Sequence, residues 1–104
     1  MKFDEGKPKL GLIPPEALVE IARVYEFGAA KYGVNNWRKD GDNTSWISTY
    51  SSIQRHLNAW LAGEDNDPES GRPHLAHAAT QIFIQMIHQM ENPQCDDRYK
   101  KEVK

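Results

Sequence analysis

His74 and His77 stand one helical turn apart, so on a helix both rings can converge on a single ligand. Alone, that spacing is a weak metal signal. It gains weight from Glu64, Asp65, Asp67 and Glu69, four carboxylates within the ten residues before His74. Such acids repel one another unless they are solvated or share a cation. Mg²⁺ takes oxygen ligands, whereas Mn²⁺ accepts carboxylate and imidazole together. The same acids also have an ordinary role, because carboxylates near a helix N-terminus are favoured by its dipole. Glu16 and Glu20 form a further carboxylate pair four residues apart, readable as a metal pair or as simple first-turn acids. Lys31, Arg55 and the arm residue Lys7 are cations that could meet phosphates, and His56 lies beside Arg55. Asn36 and Trp37 sit together in a polar loop, where an aromatic ring can stack on a base and an amide can read its edge. The alternative is that Trp37 seals the core and His56 is structural.

Three helices must position these groups. Pro14-Pro15 suits a helix start, since the missing N–H of proline would have no helical partner there. From Glu16 to Tyr32 the pattern is helical, with Leu18, Ile21, Tyr25, Ala29 and Tyr32 on one face. Gly33 stops it. Residues 33–45 read as a polar loop, and Asn43, Thr44 or Ser45 can cap a second helix from about Trp46 to Ala62. Its stripe is Trp46, Ile47, Tyr50, Ile53, Leu57, Trp60 and Leu61. After the acidic loop, Arg72-Pro73 opens a third helix that runs to about Met90, and Pro93 closes it. The tail from Gln94 onward is charged and expected to fray. No stretch alternates long enough to build a sheet. The fold class is therefore all-α: an extended arm over 1–13, a helical domain over 14–91 and a polar tail over 92–104.

The third helix carries an anomaly. Its apolar residues spread over most of the circumference, as in a helix buried within a bundle or an oligomer. One stripe differs: His74, His77, Gln81, Gln85 and His88 fall within about 80° at 100° per residue. It contains no charged residue, although 27% of the chain is charged. That composition suits a half-buried polar groove, or interior polar groups satisfied by neighbouring helices.

Composition narrows the classes. With 104 residues, of which 38% are hydrophobic, one small core is expected, completed by association into a dimer or tetramer. Thirteen basic against fifteen acidic residues leave a net charge of -2, without the basic footprint that duplex nucleic acid requires. Cys95 is the single cysteine, so neither an intrachain disulfide nor a cysteine zinc cluster can form, and a cytoplasmic setting is expected. No apolar run is long enough to span a membrane, and the first ten residues lack the apolar core of a signal peptide.

Several segments, taken in order, carry a resemblance. Phe3-Asp4-Glu5-Gly6-Lys7-Pro8 leads to Ile13-Pro14-Pro15-Glu16, then Phe27-Gly28-Ala29-Ala30-Lys31-Tyr32-Gly33, Asn36-Trp37 and Arg55-His56-Leu57. Gly63-Glu64-Asp65, Asp67-Pro68-Glu69-Ser70-Gly71 and His74-Leu75-Ala76-His77 complete the set. Over residues 3–88 the chain resembles the phage-type dATP/dGTP diphosphohydrolases, a family similar to the all-α MazG-like nucleoside triphosphate pyrophosphohydrolases. The resemblance implies an oligomeric helical enzyme, in the host cytoplasm if phage-encoded. It would split a purine deoxynucleoside triphosphate into monophosphate and pyrophosphate with Mg²⁺ or Mn²⁺. Glu64, Asp67, His74 and His77 would then hold metal and carry catalysis, with Glu16 and Glu20 as further ligands. Lys7, Lys31, Asn36, Trp37, Arg55 and His56 would bind nucleotide. MazG-like enzymes hold metals with Glu-x-x-Glu and Glu-x-x-Asp on helices. Here Glu64 and Asp67 have the second spacing but precede the helix, and Glu16 and Glu20 are one residue too far apart for the first. Either the metal set is rebuilt around histidines or catalysis is altered or reduced. A second reading is a non-catalytic helical oligomerisation or nucleotide-binding module. A His-Asp phosphohydrolase is disfavoured, since no histidine here precedes an aspartate.

Overall fold

A computed structural model describes residues 5–100. The start of the expected arm and the end of the expected tail lie outside them. Four α-helices follow in order: α1 (Pro15–Tyr32), α2 (Asn36–Lys39), α3 (Trp46–Leu61) and α4 (His74–Glu91). Short 3-10 turns occupy Leu10–Leu12, Gly41–Asn43 and Pro93–Cys95. The described residues contain no strand, only an isolated bridge between Asn66 and Pro73, so the chain is all-α. Among the described residues no helix is long and apolar enough to cross a membrane.

Local chemistry sets the helix ends. Pro15 opens α1, and Gly33, at φ 96°, closes it with its N–H on the Ala29 carbonyl at 2.8 Å. Of the three expected caps of α3, Ser45 does the work: its hydroxyl accepts from the Ser48 N–H at 3.1 Å. The polar loop over 33–45 is more structured than expected. α2 forms after Asn35, which takes the left-handed conformation at φ 59°, one that asparagine tolerates better than most residues.

The expected fraying of the tail is corrected as far as residue 98. Asp97 accepts from the Ser45 hydroxyl at 2.7 Å and from the Ile47 N–H at 3.1 Å, a second cap delivered to the start of α3. These bonds, the Ser45 hydroxyl first, hold its carboxyl below the usual range against a smaller opposing effect of burial. Arg98 lies over the Trp46 ring, 5.0 Å from its centroid. A charged tail docks here because it completes a helix terminus, not because it is apolar.

α1 and α3 flank α4, and each packs on it far more than on the other. The radius of gyration is 16.3 Å, against about 13 Å for a compact domain of this length. The expected apolar stripes are accordingly only partly covered. Val24, Trp46, Ala76 and Ala78 are buried, whereas Leu18 and Tyr32 of α1 and Ile47, Tyr50, Trp60 and Leu61 of α3 are exposed. In α4 the polar stripe is the inward one. His74, His77 and His88 are buried, and Leu75, Ile82, Phe83, Met86 and Met90 face outward. Three splayed helices have too little partner surface to cover both sides of α4, and the side they cover is the one the histidines occupy.

Candidate active site

The loop between α3 and α4 is folded tightly by its own backbone. The Asp67 N–H donates to the Arg72 carbonyl and the Gly71 N–H to the Asp67 carbonyl, both at 2.8 Å. The His74 N–H donates to the Asp65 carbonyl at 2.9 Å. Gly71 turns the chain at φ 73°, a conformation nearly free of strain only for glycine. The outcome is that one of the four acids is carried inward: Asp67 keeps 19% of its side chain exposed, against 54% for Glu64 and 61% for Glu69. Burial pushes the Asp67 carboxyl up. Hydrogen bonds from the Ser70 N–H, at 2.9 Å, and from the Ser70 side chain outweigh it together with His77, leaving the carboxyl below its usual range.

Three histidines meet this carboxylate. His56 Nδ1 lies 2.9 Å from His74 Nδ1, and the opposite nitrogen of His74, Nε2, lies 2.6 Å from Glu64 Oε1. An ionised carboxylate only accepts, so His74 donates from Nε2, and in the neutral tautomer that this fixes its Nδ1 is the bare nitrogen. The Nδ1 of His56 must then bring the shared proton or face a cation jointly with His74. A carboxylate behind a histidine whose other nitrogen is free is the usual outer support of a metal-binding imidazole. One donor atom each from His56, Asp67 and His74 lies within 4.8 Å of the others, so imidazole and carboxylate converge as an Mn²⁺-type donor set requires. His77 stands beside this group. Its ring stacks on His56 at 4.6 Å and 8°, its Nε2 is 2.6 Å from the Ser70 hydroxyl, and Asp67 is 3.7 Å away.

Burial, the largest cause in each case, lowers the pKa values of His56, His77 and His88 from the usual 6.5. All three are therefore neutral at pH 7. A proton taken up by the unfolded chain below about pH 6.5 is refused by the folded one, so stability is full above that pH and declines as the pH falls. Without added metal, the melting temperature is expected to be lower at pH 5.5 than at pH 7.5. A flat profile in thermal denaturation would remove the assignment of these rings as buried and neutral.

A cleft of about 970 Å³ opens between α1 and α3 over α4. Lys31, Asn36, Trp37, Arg55, His56, Asp67 and His77 all line it. Five of the six expected nucleotide contacts thus share one cavity with two of the expected catalytic residues. Lys7, Glu16, Glu20, Glu64 and His74 are not part of its wall. His74 meets the wall through His56, and Glu64 is joined to His74. Lys7 and Glu16 are exposed, and Glu20 bonds Arg72 at 3.3 Å; neither glutamate belongs to the cluster of His56, Asp67 and His74. Lys31 is paired with Glu69. Trp37 is half-buried, 6.4 Å from the Tyr25 ring and edge-on to His88 at 5.6 Å, so it both packs and walls the cleft. Ser70 and Gln81 were given no separate role by sequence. Nothing in the local sequence says that Ser70 bridges Asp67 and His77.

Fold and site together define a small all-helical domain with a histidine–carboxylate centre beside a ligand-sized cleft. A family model described as "dATP/dGTP diphosphohydrolase, N-terminal" matches residues 1–98, and the chain belongs to that family. A dATP/dGTP diphosphohydrolase of Salmonella phage PMBT28 is 35% identical over 98 residues, which cover 94% of this chain and 32% of that relative. The chain therefore spans about a third of the length of the curated relative it matches. No solved structure matches it.

Proposed function

We propose that this domain hydrolyses dATP and dGTP to the monophosphate and pyrophosphate with Mn²⁺ or Mg²⁺. The observation that carries the reading is the convergence of His56, His74 and Asp67 within 4.8 Å, at a cleft lined by Lys31 and Arg55. The donor set fits the softer Mn²⁺ better than Mg²⁺. A bound divalent cation supplies positive charge against the triphosphate and acidifies a water. The chain's own residues do the rest. Glu64 orients His74. Ser70 and Asp67 hold His77 at the cleft wall, where its neutral ring can take a proton. Lys31 and Arg55 face the phosphates, and Lys31 exchanges its solvent-exposed Glu69 partner, a weak one, for phosphate oxygen. Trp37 stacks on the base. The test is incubation of purified protein with each deoxynucleoside triphosphate and either metal. Monophosphate and pyrophosphate are expected from dATP and dGTP. Release of orthophosphate or tripolyphosphate instead would refute the stated reaction.

The outward face of α4 supports self-association, the second part of the reading. Met86 is 58% and Met90 71% exposed, a run of apolar surface that a monomer rarely leaves to water. The chain is expected to sediment as a dimer or tetramer, and Phe83→Glu with Met86→Glu to shift it to monomer. A monomeric wild type in analytical ultracentrifugation would end this proposal. The same face is what favours the module reading, under which neither nucleotide nor metal would raise the melting temperature.

A further inference from the structure

Gln81 lies on the floor of the cleft, half-buried on α4, one turn beyond His77. Seven residues separate it from His74, about 10 Å along the helix axis at 1.5 Å per residue. That is about the reach of a nucleoside monophosphate from its phosphorus to the pairing edge of a purine. The Trp37 ring stands in the wall of the same cavity. Two hydroxyls in that wall are already engaged: the Thr80 hydroxyl donates to the Ala76 carbonyl at 2.8 Å, and the Thr49 hydroxyl to the Ser45 carbonyl at 3.1 Å; His88, two turns further along α4 in the same wall, has a buried Nδ1 without a partner among the described residues. Gln81 has no hydrogen-bond partner among the described residues. Asn36, the sequence-based candidate for base recognition, is exposed at the rim. A polar group discriminates strongly only where a mismatch leaves it unpaired and dry, which favours the floor over the rim.

The geometry points to Gln81 as the residue that reads the base and lets one site take both purines. This inference rests on the nucleotide reading above. A carboxamide carries one acceptor and a donor group on a terminal torsion that is broad and roughly two-fold. In one orientation its oxygen accepts from the adenine amino group while its N–H donates to adenine N1. Turned over, its N–H donates to guanine O6 while its oxygen accepts from guanine N1–H. Neither purine leaves the amide unpaired. Pyrimidines are excluded by reach, since their pairing edge lies nearer the sugar.

Gln81→Glu tests this, because a carboxylate can only accept. It suits the N1–H and amino group of guanine and opposes the lone pair on adenine N1. The ratio of kcat/KM for dGTP over dATP is expected to rise about tenfold or more, the size of one bidentate base contact. Any effect of the new charge on phosphates or metal is common to both substrates and cancels in that ratio. Gln81→Leu should lower kcat/KM for both purines together, and Asn36→Asp should leave the ratio unchanged. An active Gln81→Glu protein with the wild-type ratio would overturn the role of Gln81 alone. A wild type that hydrolyses no deoxynucleotide would overturn it together with the proposed function.

Discussion

Asp67→Asn is expected to lower kcat/KM for dGTP by at least about a hundredfold, the scale of loss seen even when outer partners of a metal ligand are removed. The substitution preserves shape and the oxygen that accepts from the Ser70 N–H, so the loop should keep its fold. It removes the negative charge that stands with His56 and His74 in the cluster proposed to hold a cation. The metal effect can be read without turnover. A ligand that binds only the folded state, present at a hundredfold over its Kd, adds about 2.7 kcal/mol of stability. In a domain of this size that raises the melting temperature by about 10 °C or more. Mn²⁺ should produce such a rise in the wild type and little in Asp67→Asn or His74→Ala. Glu64→Gln should fall between them, since Glu64 meets the cluster only through His74 Nε2. Equal rises in wild type and Asp67→Asn would place the metal elsewhere.

Trp46→Ala should cost about 3–5 kcal/mol, a large part of the 5–15 kcal/mol that holds a typical domain together. Trp46 is the largest of the four buried apolar residues, at 5% exposed. It also joins the start of α3 to the docked tail, because Arg98 lies over its ring. Trp46→Phe should behave differently. The indole Nε1 is buried without a hydrogen-bond partner among the described residues, and an unpaired buried donor costs about 1–3 kcal/mol. Removing that donor offsets the lost area, so the phenylalanine variant should stay within about 1 kcal/mol of wild type in urea denaturation. Losses of equal size in the two variants would show that the indole nitrogen is satisfied in solution.

Where the three long helices begin and end is legible in the amino-acid order, because those signals are local. Pro15, Gly33 and Ser45 act on the backbone within one turn of themselves. That order also determined which residue types were available for chemistry, and the uncharged His/Gln stripe marked α4 as unusual. Its reading of that stripe as half-buried or interior agrees with the burial of His74, His77 and His88; what it did not carry was that the apolar side of α4 is left facing outward. Apolar residues cover most of that helix, so its pattern has no single answer, and the answer depends on where α1 and α3 lie. Only the tertiary structure selected Asp67 from four acids, by a loop whose backbone bonds turn it toward His77. Only the tertiary structure brought His56 to His74 across 18 residues and Asp97 to Ser45 across 52. Such pairings leave no local mark, since each partner reads alone as an ordinary polar residue and becomes a ligand or a cap only when the other arrives.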